Sequence, residues 1–69
     1  TRMEAFLVDT VGLKADPAAA VLKHMADQYD IEVLEDLVHL SEKDMENVIE
    51  ACGLKRVSAG KLMMVLKLI

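Results

Sequence analysis

Tryptophan is absent from this chain of 69 residues, and Phe6 and Tyr29 are its only aromatics. A core must therefore come from Leu, Val, Ile, Ala and five methionines, and 54% of the residues are hydrophobic. Cys52 is the single cysteine, so no internal disulfide can form. A reducing, intracellular and cytoplasmic setting is the expectation. Long apolar runs are missing too: "LMMVL" is far too short to span a bilayer. No basic leader with a small-residue cleavage site precedes the first apolar segment. The chain starts at Thr1, not methionine, and reads as one domain over residues 1–69, a fragment of a longer protein. So short a chain buries roughly 60% of its unfolded surface, which makes it dependent on efficient packing.

Sustained strand-type alternation is also lacking, and the apolar spacing is helical nearly everywhere. Met3, Phe6, Leu7 and Val11 share one face of a first segment that Gly12 ends. "ADPAAA" opens a second, with Asp16 as cap and Pro17 in the first helical position. Its stripe is Ala18, Val21, Leu22, Met25 and Tyr29. Asp30 is expected to cap a short third helix that turns Val33, Leu34, Leu37 and Val38 inward.

"SEKD" has capping-box spacing, with Ser41 and Asp44 each accepting from the other's N–H. Met45, Val48, Ile49 and Cys52 follow on one stripe, and Gly53 closes the helix. The last segment places Leu62, Val65, Leu66 and Ile69 on the core side, with Ser58 as cap. Gly60 falls in its first turn, where a neighbour could approach closely. Met64 and Leu68 point away from that stripe; either they pack on the first helix, which is the expectation, or they form an exposed apolar patch. The fold class is all-α: a compact orthogonal bundle of five helices.

Charge is divided along the chain. Residues 27–50 carry nine acids and one base, a net of −8. Residues 51–69 carry Lys55, Arg56, Lys61 and Lys67 and no acid, and the first 26 residues balance. One acidic and one basic surface would be complementary in a head-to-tail sense.

Chemistry-bearing patterns are scarce. Both serines are explained as caps, and His24 and His39 lie on different segments. Cys52 reads as a small apolar residue, and Met25, Met45 and Met63 as core filler. Neither zinc spacing, a calcium loop nor a phosphate loop is present. No catalytic residue, cofactor or metal is expected, and the chain is not expected to be an enzyme.

The stretch "LEDLVHLSEKDMENVIEACGLKRVSAGKLMMVLKLI" resembles the second half of a sterile alpha motif domain. The matching positions are Leu34 and Leu37, then Leu40, Ser41, Asp44 and Met45 at a helix start. Gly53 and Leu54 match the turn, and Gly60, Lys61, Val65, Leu66 and Ile69 the final helix. "AFLVDTVGL" is similar to the family's first helix, although Phe6 and Leu7 stand where a tryptophan–leucine pair is common. The second segment is longer than the family's usual short helix, and the Gly53–Gly60 loop looks slightly extended.

The resemblance implies a non-enzymatic protein-interaction module, used in scaffolds and signalling. Many such domains polymerise through a mid-loop surface and an end-helix surface. Carried over by position, the end-helix surface would include Lys55, Arg56, Val57, Gly60 and Lys61. The mid-loop surface would draw on Glu32, Glu35, Asp36 and Asp44. The expected partner is another copy or another domain of the same type, with no membrane partner. The alternatives are a monomeric heterotypic adaptor, or an RNA-binding module using Lys55, Arg56 and Lys61. Nucleic acid is the weaker expectation, because phosphate contacts dominate such affinity and the chain is acidic overall.

Overall fold

A computed structural model describes residues 1–69, and it contains helices and no strands. Helix α1 (Arg2–Ala5) starts where Thr1 Oγ1 accepts from the Glu4 N–H at 3.1 Å. It passes without a break into a π-helical segment, Phe6–Val11. Both Gly12 and Leu13 then donate their N–H groups to the Leu7 carbonyl. Met3, Leu7 and Val11 are buried as the spacing requires, and Phe6 is half-buried. Gly12 ends the segment at φ +91, a left-handed conformation that glycine adopts freely.

Helix α2 (Ala15–Tyr29) begins earlier than the Asp16–Pro17 signal suggests. Lys14 is the N-cap, and its carbonyl accepts from Ala18 N–H at 3.0 Å. Asp16 makes no cap bond, and Pro17 is the third helical residue. A missing N–H is still harmless there, because the first-turn donors have no partner within the helix. Ala18, Val21 and Met25 are buried, with Leu22 and Tyr29 half-buried.

Asp30 does not cap the next helix. It terminates α2 in the left-handed region (φ 59), its N–H donating to the Met25 carbonyl. The element that follows, Leu34–His39, is a 3-10 helix. Its period of three explains which residues face inward. Leu34 and Leu37 line up, and the same interval takes in buried Ile31 and Leu40 on either side. Val33 and Val38, expected inside, are instead 50% and 60% exposed.

Helix α3 (Glu42–Ala51) carries the capping box in full. Ser41 N–H donates to Asp44 Oδ2 at 2.9 Å, and Asp44 N–H donates to Ser41 Oγ at 3.1 Å. Met45 and Val48 are buried, Ile49 and Cys52 are half-buried, and Gly53 follows at φ +64.

Helix α4 (Arg56–Lys67) starts earlier than expected, with Lys55 as N-cap. Ser58 is therefore inside the first turn and is not the cap. Gly60 is two residues further in, and nothing beyond its own stretch of helix backbone lies within 4 Å of the place a Cβ would occupy. The connection from Gly53 is short, because the helix begins at Arg56. Leu62 and Leu66 are buried and Val65 is half-buried, but Ile69 is exposed. Met64 and Leu68, expected against the first helix, are 68% and 81% exposed.

Taking α1 and its π-helical continuation as one, five helices enclose a single apolar cluster of 14 buried residues. No buried polar side-chain atom lacks a partner. Helix α4 packs on the π segment and on α3, which leaves its start and its outer side at the surface.

Candidate interaction surfaces

The start of α4 presents the basic residues. Lys55 and Arg56 are consecutive and exposed, and Val57 beside them is 69% exposed. Val57, Gly60 and Lys61 share a helix face at the i, i+3, i+4 interval. The ion pairs join the N-terminus to Glu4, Arg2 to Glu35, Lys23 to Asp27, and Lys67 to Glu42. Lys55, Arg56 and Lys61 are in none of them.

Lys61 has a local role as well. A Cβ on Gly12 would lie 3.6 Å from Lys61 Cδ and 3.7 Å from Nζ. The Lys61 side chain thus lies over Gly12 at the end of the π segment.

The acidic residues separate into two kinds. Glu32 and Glu35 are exposed, with Glu35 Oε2 3.9 Å from Arg2 Nη1. Asp36 Oδ2 accepts from the N–H groups of Glu32 at 3.0 Å and Val33 at 3.2 Å. These donors hold its carboxyl below the ordinary value. Asp44 belongs to the α3 capping box. Asp36 and Asp44 are therefore fold-forming groups as well as surface charges.

A groove escaped the sequence reading. Phe6, Leu34, Leu37, Val38 and Ile69 line it, with Arg2 and Glu35 alongside. The signal was the three-residue period from Ile31 to Leu40, which turns Val38 outward.

The remaining reactive groups lie elsewhere. His24 meets Tyr29 edge-on with ring centroids 5.8 Å apart, and His39 is exposed. Cys52 Sγ lies 3.5 Å from the Ala20 carbonyl oxygen, and burial pushes its thiol pKa up. No three His, Cys, Asp or Glu residues are grouped to hold a metal ion, and no helix is long and apolar enough to cross a membrane. No family model matches the chain, and neither does a curated protein or a solved structure.

Proposed function

We propose that this chain is a non-enzymatic interaction module of the sterile alpha motif type that associates head to tail with further copies of itself. The observation that carries the reading is the division of charge. Lys55, Arg56 and Lys61 are exposed at one helix start and have no carboxylate within ion-pair distance. Glu32 and Glu35 are exposed on a different part of the chain.

The basic residues of one copy would face Glu32, Glu35, Asp36 and Asp44 of the next. Different surfaces meeting in this way propagate a ring or a helix instead of closing on a two-fold axis. A weak contact of this class buries on the order of 1,000 Å². Exposed charge pairs contribute only about 0–1 kcal/mol each, so apolar groups must supply the centre. Val57 on one side and the Phe6–Leu34–Val38 groove on the other are exposed enough to do so.

Sedimentation of the chain against concentration and salt tests the reading. Mass should rise with concentration and fall as added salt shortens the screening length to about 8 Å or less. Lys55→Glu with Arg56→Glu should give monomers, as should Glu32→Lys with Glu35→Lys. Asp36 and Asp44 are left intact because their loss would perturb the fold. An equimolar mixture of the two variants should form a one-to-one pair. A parent that stays monomeric at about 1 mM, where even a weak contact populates, rejects self-association. Tight binding of hairpin RNA that the basic-to-acidic variant loses would favour nucleic acid instead.

A further inference from the structure

We propose that the outer face of α4 seats on an anionic lipid surface, an inference that goes beyond self-association. Val57, Lys61, Met64 and Leu68 follow one another at intervals of four, three and four residues. That spacing puts them in one line on a helix, over a length of roughly 16 Å. Val57, Met64 and Leu68 are 69%, 68% and 81% exposed, while Leu62 and Leu66 hold the opposite side in the core. The helix is thus anchored by one face, and the other is open except where the Lys61 side chain lies over Gly12. The exposure of Met64 and Leu68 is what changes the sequence expectation of no membrane partner.

The shape of this face favours a soft partner. None of the molecule's cavities is lined by Val57, Lys61, Met64 or Leu68. The apolar residues therefore form a ridge without walls. The boundary between lipid headgroups and acyl chains yields around such a ridge, whereas a rigid partner would need a matching groove.

The charge fixes the sign of the surface. Lys55 and Arg56 stand at one end of the face, Lys61 within it and Lys67 at the other end, and residues 51–69 contain no acid. Lys67 is shared with Glu42 at 3.7 Å, and the other three cations are free of carboxylates. Cations beside exposed apolar side chains attract anionic headgroups. The same cations oppose pairing of α4 with α4 of a second copy, since like charges would be brought together. Val57 and Lys61 also belong to the proposed self-association surface, so lipid and a second copy compete there. Met64 and Leu68 belong to the lipid face alone.

Co-sedimentation of the whole chain with vesicles tests this. The chain should bind vesicles containing about one third phosphatidylserine and not phosphatidylcholine alone, with binding weakened by salt. Met64→Glu with Leu68→Glu should reduce partitioning by about tenfold or more, because two apolar contacts become anionic. Circular dichroism and the concentration-dependent mass should be unchanged in that variant, which separates this inference from self-association. Lys55→Glu with Arg56→Glu should lose vesicle binding too. Absence of binding to the anionic vesicles overturns the proposal and leaves the face to an acidic protein partner. Binding that survives the Met64 and Leu68 changes also overturns it, since charge alone would then account for adsorption.

Discussion

Asp36 ties two backbone donors to one carboxylate oxygen, and this has a pH signature. In the unfolded chain its carboxyl titrates near the ordinary value of 3.8, and in the folded chain at a lower pH. A depressed folded value stabilises the fold above the unfolded value and ceases to do so as pH falls through the folded one. The contribution is therefore intact at neutral pH and is lost in the acid range below about 4. Asp36→Ala should lower the urea midpoint at neutral pH and flatten this part of the acid limb. Equal losses at pH 7 and at pH 2 would refute the assignment. Cys52 offers a second residue-scale test. Burial raises its thiol pKa, so less thiolate is present at pH 8 than in an unfolded chain. Alkylation should be slow in the folded protein and speed up in urea, with the labelled fraction read by mass spectrometry; equal rates would count against the burial.

Elements differ in how openly the chain announces them. The start of α3 was legible because Ser41 and Asp44 satisfy each other within one turn, a matter of local chemistry. Asp30 was misread because an aspartate before an apolar run suits either a cap or a left-handed stop. Its role depends on Asp36 capping the next element. Val38 was misplaced by an assumed α period where the chain runs in threes. The basic residues of α4 were legible as surface from their charge. Met64 and Leu68 were not, since α4 is apolar on several sides and only its crossing over the π segment decides which side is covered. The covered side is the stronger constraint. Leu62 is fully buried, and its truncation to Ala should cost about 2–5 kcal/mol. A single core in so small a domain rarely supplies more than roughly 3–5 kcal/mol. Leu62→Ala should therefore lose most of its cooperative unfolding transition by circular dichroism. A cost below about 1 kcal/mol would contradict the packing described.

For the whole molecule, salt should act in opposite directions on folding and on assembly. The residue 27–50 block holds nine acids against one base, and only Asp27, Glu35 and Glu42 pair with a base from outside it, which leaves a net like-charge repulsion. Screening relieves that repulsion, so the urea midpoint of the dilute monomer should rise from low to high salt. Association between opposite surfaces should weaken over the same range. Parallel trends would refute the division of labour between the charges. Two kinds of acid share the negative surface. Asp36 and Asp44 answer to the backbone beneath them, while Glu32 and Glu35 answer to whatever lies opposite. Were a lineage to lose its partner, random substitution would erase the glutamates first and leave the aspartates standing. A paralogue with aspartate at both caps and neutral side chains at positions 32 and 35 would be a domain that kept its shape and gave up its contact.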